Sequence, residues 1–500
     1  MFAINSPFRL IQVVGYLAAI ALFLTEVAFA NSFLEINDIH SRLNPTHLHE
    51  YHEPSTTAEI VALLKRAAKE NRAISISGGR HAMGGQQFGS DTIHISTKKY
   101  NRVLALDASK GLVRVESGIQ WPELIAWLLD NQKSSAKAWG IRQKQTGADQ
   151  LSIGGALSAN VHGRGLTMQP FVSDVESVEL VDAQGKLIRA SREQNPELFS
   201  LVAGGYGLFG VITEVTLRLS PRTRLVRKVE IVPSASLDSL VKKRIDAGFM
   251  YGDFQFKTDE TSEDFLKTGV FSFYRPIASP YPEAEPPKEL TEDRWNELYK
   301  LAHLDKAKAF QAYTDYYLTT DGQFYWSDTH QLSYYSTGLD QFIDQAEGSQ
   351  AEGSLMITEL YVPRAELDTF LGKAATALRK ENANLVYGTV RFIEKDTDSF
   401  LAWASQPYAS IVMNLRVIHD DEGIDVAKRQ FQTLIDVALE LDGSYFLTYH
   451  RWARKDQVLA AYPQFPDFLL LKKKYDPDER FQSDWYRYYR KLLSPESKVD

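Results

Sequence analysis

The chain contains no cysteine. That excludes disulfides, thiolate metal sites, iron–sulfur clusters, a thiol nucleophile and any cysteinyl attachment of a prosthetic group. It does not fix a compartment, because disulfide-free proteins occur on either side of a membrane. Charge of one sign is not concentrated: 56 basic and 64 acidic residues give a net charge of −8. No long basic run exists, which disfavours nucleic acid as a partner. There is no Walker-type phosphate loop, no internal repeat and no low-complexity tract. Near the N-terminus an apolar run spans residues 10–24, broken only by Gln12, Gly15 and Tyr16. At about 15 residues it is short for a bilayer-spanning helix, which needs roughly 20. Arg9 precedes it and Ala28-Phe29-Ala30 follows it, the small-x-small pattern of a signal-peptidase site, and there is no twin arginine. Residues 1–30 therefore read as a secretory signal, with an uncleaved N-terminal anchor or a buried helix as alternatives. The expected location is exported, periplasmic or secreted, with a membrane tether if the segment stays.

What is present is an ordinary globular composition, 44% hydrophobic and 24% charged, over 500 residues, which predicts more than one domain. The stretch that organises the rest is Ile74-Ser-Ile-Ser-Gly-Gly-Arg-His-Ala-Met-Gly-Gly-Gln86. Ile74 and Ile76 alternate with serines as in a half-buried strand. The chain then breaks into a loop whose glycines allow positive φ and let backbone N–H groups converge on an anion. A second glycine-rich segment runs from Thr146 to Gly165. There Gly154-Gly155 opens a short helix of small residues over 156–160, and a helix N-terminus with free N–H groups is a seat for a pyrophosphate. A third segment, Gly205-Tyr-Gly-Leu-Phe-Gly210, matches G-x-G-x-x-G, but residues 211–219 alternate like a strand. The dinucleotide fingerprint must open a helix, so a Rossmann site is rejected.

Around these segments, Thr56 and Glu59 predict a capping box for a helix over 56–70. Strands are expected near Ile93–Ile95, 103–106 and 112–115. A helix should start at Pro122, and 172–181 with 187–188 should form a hairpin. His47, His49 and His52 have the types to bind a transition metal, but read as a polar lead-in to the first helix, and no metal site is expected. Residues 222–430 alternate strand-like and helical stretches. They include an aromatic segment with Tyr313, Tyr316, Tyr317, Phe324, Tyr325, Trp326, Tyr334 and Tyr335. This is either core packing or the stacking wall of a substrate pocket. Residues 280–287 read as a surface loop, and helices are expected over 425–441 and 455–461.

The two glycine loops, Gly204-Gly-Tyr-Gly-Leu-Phe-Gly-Val-Ile212 and a returning C-terminus resemble the vanillyl-alcohol-oxidase family, with its p-cresol-methylhydroxylase-type FAD domain. The resemblance covers nearly all of 45–490 and is strongest over 50–220. Arg454-Lys-Asp, Tyr462-Pro463, Tyr475-Asp-Pro477 and Val390-Arg-Phe-Ile-Glu-Lys-Asp396 are similar to aldonolactone and alditol oxidases and to decaprenylphosphoryl-ribose oxidase. What it implies is an α+β fold: a two-part FAD-binding domain over 45–221, an α+β cap (substrate) domain over 222–430, and a C-terminal segment, 431–500, returning to the FAD domain.

The implied FAD contacts are Gly78, Gly79, Arg80, His81, Ala82, Met83, Gly84 and Gln86 from the first loop. The second loop supplies Gly147, Ser152, Gly154, Gly155, Ser158, Asn160, Val161, His162 and Gly165, and Gly210 and Ile212 follow. His81 occupies the position that many members bond to the flavin 8α-methyl; the usual next residue is serine, whereas here it is Ala82. The alternative is a histidine that only hydrogen-bonds near the flavin. Without cysteine, at most one covalent link is available. Arg391 keeps the arginine of a Glu-x-Arg substrate strand whose glutamate is replaced by Thr389, and His450-Arg-Trp-Ala-Arg454 loosely echoes His-Trp-Ala-Lys. Arg391, His450, Tyr449 and Glu359 are thus the catalytic candidates. Val161 stands where relatives gate oxygen; its bulk favours a dehydrogenase. The implied activity is hydride transfer from a CH–OH carbon of a sugar, polyol or lactone-like small molecule to flavin N5, then electron transfer to oxygen or another acceptor. The alternatives are a cytokinin-dehydrogenase-like enzyme of an amine or ring substrate, and an exported flavin-binding protein without turnover.

Overall fold

The computed structural model describes residues 34–494, apart from 134, 136, 278–288 and 334–338. The expected signal or anchor at 1–30, the loop at 280–287, and Tyr334 and Tyr335 lie outside the described residues. Among the described residues no helix is long and apolar enough to cross a membrane. Helix and sheet are mixed throughout, as expected of an α+β chain.

The first glycine loop leaves the edge of a small parallel sheet, in which Ile93–Ser96 lies between Glu50–His52 and Ile74–Ser77. Helix Thr57–Lys69 buries Ile60, Leu64 and Ala67 against it, the i, i+4, i+7 stripe of an amphipathic helix. The Thr56 hydroxyl caps the helix by accepting the Glu59 N–H, and the Glu59 carboxylate takes the Ser55 N–H. The C-terminal chain returns to this sheet: Ile74 donates to the Arg480 carbonyl and Gln482 donates to the Ile74 carbonyl. A second, antiparallel sheet has the order Leu187–Ser191, Val175–Val181, Val211–Arg218, Leu112–Glu116, Val103–Asp107. The rejected G-x-G-x-x-G segment does run into a strand, Val211–Arg218, and helix Ile153–Ala159 packs on that strand.

The third sheet has eight strands, all antiparallel to their neighbours: Phe324–Trp326, Arg224–Pro233, Thr268–Pro276, Tyr251–Phe256, Leu385–Ile393, Tyr408–Ile418, Gly353–Pro363 and Ser444–Tyr445. Alternation along each strand gives it two unlike faces. One carries Phe254, Phe271, Phe273, Val390, Phe392, Ile411, Met413 and Leu360, all buried. Helix Leu367–Lys380 buries Phe370, Leu371, Ala374 and Leu378 in the same core. Read across the register, the opposite face carries Arg227, Ser272, Tyr274, Asp253, Arg391, Thr389, Ser410 and Glu359. A polar face this deeply placed costs free energy unless its groups are partnered or face a ligand.

Candidate active site

That polar face and the glycine loops enclose a cleft of about 1540 Å³. Gly78, Gly79, Arg80, His81, Ala82, Met83 and Gln86 of the first loop line it. Arg80 sits in the left-handed region, with φ 59°. Such a left-handed residue in a glycine loop turns successive N–H groups to one side as an anion-binding nest. The N–H groups of Gly79, Arg80, His81 and Ala82 have no hydrogen-bond partner among the described residues. Glycine is needed here by packing: a Cβ on Gly79 would lie 2.4 Å from the Gln150 carbonyl oxygen of the neighbouring loop.

The second loop behaves differently from the expectation. Gly147, Gly154, Gly155, Ser158, Val161 and His162 line the cleft, as do Gly210 and Ile212. The N–H groups opening helix Ile153–Ala159 are already used: Ile153 donates to Ile119, Gly154 to Ser117, and Gly155 to the Ser152 hydroxyl. The expected free helix N-terminus is therefore corrected, because Ser152 is a cap and the turn that follows strand Leu112–Glu116 supplies two carbonyls. Gly84, Ser152, Asn160 and Gly165 are not on the cleft walls. Asn160, in the left-handed region, donates to Asp396 and accepts from the Val172 N–H, which ties the loop down.

His81 meets a residue the sequence reading passed over. Its Nδ1 lies 2.7 Å from Nε2 of His40, so one proton is shared between two rings. Its Nε2 is buried and has no hydrogen-bond partner. Burial, then the neighbouring His40, hold its pKa down to about 3, with the Gln150 carbonyl opposing. Burial likewise lowers His40 to about 4. Burial and the His40 ring both favour the neutral form of the His81 imidazole.

Deeper in the cleft, Glu359 and His162 form a pair, 2.5 Å between Oε1 and Nε2, at 2% and 3% side-chain exposure. The Ser410 hydroxyl donates to the same Glu359 oxygen at 2.7 Å. His162 Nδ1 faces the Gly163 carbonyl at 3.0 Å. Burial pushes the Glu359 carboxyl up, but His162, Arg391 and the Ser410 hydroxyl outweigh it and hold it below its ordinary value. Arg391 and Tyr449 line the same part of the cleft. The Arg391 Nη2 donates to the Thr146 hydroxyl, and its Nε is buried without a partner. Burial, with Glu359 nearby, raises the Tyr449 phenol well above its ordinary value. Of the four candidates for chemistry, Glu359, Arg391 and Tyr449 converge here. His450 does not: it is buried off the cleft, packed against Phe431, Tyr445 and Trp452, and burial lowers its pKa to about 3.

The aromatic segment reaches the outer half of the cleft, where Tyr313, Tyr316, Tyr317, Phe324, Tyr325 and Trp326 all line it. With them stand Arg164, Arg227 and His330, for which the sequence offered no motif. His47 faces Glu35, His49 faces both Asp91 and Glu50, and His52 faces Glu50. Among the described residues no group of three metal-ligating side chains occurs.

Residues 50–191 match the family described as FAD binding domain. The chain is a flavoprotein with FAD as its cofactor, and the unpartnered N–H groups at 79–82 beside a neutral His81 fit that group. L-galactono-1,4-lactone dehydrogenase, mitochondrial, of Brassica oleracea is 30% identical over 195 residues, 38% of this chain and 31% of that protein. L-gulonolactone oxidase of Mus musculus is 27% identical over 177 residues, 35% of this chain and 38% of that protein. L-gulonolactone oxidase 5 of Arabidopsis thaliana is 21% identical over 485 residues, 86% of this chain and 79% of that protein. The chain thus matches less than two-fifths of the length of the first two. It is similar to flavin-dependent aldonolactone oxidoreductases.

Proposed function

We propose that the chain is an FAD-dependent oxidoreductase that oxidises a CH–OH carbon of a sugar lactone or polyol. The observation that carries this reading is the joining, in one cleft, of an unpartnered backbone nest at 79–82 with the buried Glu359–His162–Arg391 group. FAD, when bound, supplies the hydride acceptor. The unpartnered N–H groups of Gly79 to Ala82 would hold its phosphates. The Glu359–His162 pair takes the proton of the reacting hydroxyl, the carboxyl being held below its ordinary value beside the His162 ring. Arg391 holds the substrate oxygen or the negative charge that develops opposite it, with its free Nε as the second donor. Tyr449, kept protonated, donates a hydrogen bond. His450 supports the wall from behind.

The third sheet with its helices is the cap (substrate) domain of this reading, its polar face turned to the cofactor. His81 would hold the flavin through a single bond from its Nε2 to a ring methyl carbon: the methyl C–H and the imidazole N–H would each give up a proton, the flavin ring would take the electron pair and the electron acceptor would then remove it, with His40 at Nδ1 to take the imidazole proton. Val161 excludes oxygen and so favours another electron acceptor. Residues 1–30 export the chain, which N-terminal sequencing of the recovered mature protein tests.

The test of function is anaerobic mixing of the FAD-loaded protein with L-galactono-1,4-lactone, L-gulonolactone, alditols and simple amines. Loss of the flavin absorbance with a lactone or polyol is expected. No bleaching with any of them defeats the proposal, and bleaching by amines alone moves it to another substrate class.

A further inference from the structure

The outer half of the cleft holds a cation that the proposed chemistry does not use. Arg227 lies on strand Arg224–Pro233, three strands away from Arg391 in the same sheet. Three interstrand steps of about 4.8 Å place it roughly 14 Å across the sheet from Arg391. It is 6% exposed, and its Nε is buried without a hydrogen-bond partner. Nη2 donates to the Ser272 hydroxyl at 2.8 Å, and Nη1 is 3.5 Å from the Tyr325 hydroxyl. The ring of Tyr317 packs at 4.3 Å from the guanidinium carbon, with Tyr274 and Tyr325 further out.

No carboxylate lies within ion-pair distance of Arg227 among the described residues. The charged neighbours on this wall are committed elsewhere. Asp253 faces Arg164 at 3.5 Å, and Asp340 faces Arg42 at 3.2 Å. Arg224 lies over the Trp326 ring, and Glu289 is exposed at the rim. His330 is held neutral by burial. A guanidinium taken out of water against neutral oxygens and rings is a desolvated charge without its counter-charge. Its planar fork matches a carboxylate or phosphate in two-pronged fashion.

We propose that Arg227, with Ser272 and Tyr317 beside it, is an anion subsite for the far end of the substrate. This rests on the oxidoreductase reading above and narrows its substrate. The molecule oxidised at the Glu359–Arg391 end carries a carboxylate or phosphate at the other, and is longer than a single unsubstituted sugar lactone.

The test is calorimetric titration of the FAD-loaded protein with gluconate, with glucose 6-phosphate and with uncharged glucitol, using wild type, Arg227→Gln and Arg227→Lys. At least one anion should bind wild type and bind Arg227→Gln about 10- to 100-fold more weakly, as expected for loss of a charged hydrogen-bond pair. Glucitol should bind all three proteins equally. Binding of gluconate alone assigns a carboxylate, and of glucose 6-phosphate alone a phosphate. The proposal is overturned if neither anion binds wild type, if Arg227→Gln leaves anion binding unchanged, or if it weakens glucitol by the same factor. Should Arg227→Gln not fold, Arg227→Lys keeps the charge but loses the fork, and equal anion affinity in that variant would defeat the proposal. Calorimetry needs no turnover. Anion binding without flavin bleaching therefore counts against the oxidoreductase reading alone, and bleaching without anion binding against this subsite alone.

Discussion

Replacing Glu359 by glutamine probes the cleft most sharply. The shape is kept, and an oxygen remains to accept the Ser410 hydroxyl, but the charge facing His162 is removed. If the pair takes the hydroxyl proton, the rate of flavin reduction should fall about 10²–10⁴-fold, the usual worth of a positioned base. Stability should also fall, by about 1–3 kcal/mol, because a buried charge-assisted hydrogen bond becomes a neutral one. The pH dependence has a definite sign. The folded Glu359 carboxyl lies below its ordinary value. Between that lowered value and the ordinary carboxylate range, near 4.3, the unfolded chain binds more protons than the folded one, so stability rises with pH. The contribution is complete above the unfolded value and is lost as pH falls through the folded one. Wild type and Glu359→Gln should therefore differ in unfolding temperature at pH 7 and converge as the solution is acidified below pH 4. The assays are stopped-flow anaerobic reduction and thermal unfolding over that range. A reduction rate within about tenfold of wild type, or a stability gap that does not close in acid, would refute the reasoning.

Further outcomes follow from other parts of the cleft. Gly79→Ala should lose bound flavin, since its Cβ would meet the Gln150 carbonyl at 2.4 Å, and should cost about 1–3 kcal/mol through forced separation of the loops; flavin-to-protein absorbance and unfolding temperature check this. Val161→Ala should speed reoxidation of the reduced enzyme in air-saturated buffer, and an unchanged rate would remove Val161 as the gate. His450→Phe should leave flavin reduction nearly unchanged because the ring packs off the cleft, and a large fall would show that it acts on the chemistry.

How far the sequence could be read depended on how local each feature was. The alternation of Ile74 and Ile76 followed by paired glycines marks a strand and loop within a dozen residues, and the structure has both. The strand after Gly210 was legible for the same reason. The helix opening at Gly154 misled because glycines signal close approach but not who approaches; the Ser117 and Ile119 carbonyls arrive from the turn after strand Leu112–Glu116. Glu359 and His162 are 197 residues apart, and no local pattern joins them. Arg227 and Arg391 share a face only because four strands pair in a non-sequential order. His450 looked catalytic from its neighbours in sequence, whereas its burial is set by Phe431, which comes from the helix Asp421–Leu439. The eight-stranded sheet itself was visible only as alternating stretches, since its partners are fixed by long-range packing.

In the proposal, one cleft built on the loop from Gly78 to Gln86 holds FAD, with His81 as its single attachment point. The direct measurement is acid denaturation of the purified mature protein, followed by separation of protein from free flavin. Yellow colour should stay with wild-type protein and be released from His81→Ala, and His40→Ala should slow attachment during loading. Release of all flavin from wild type would contradict the attachment, and purification of a colourless protein that takes up no added FAD would contradict the site itself.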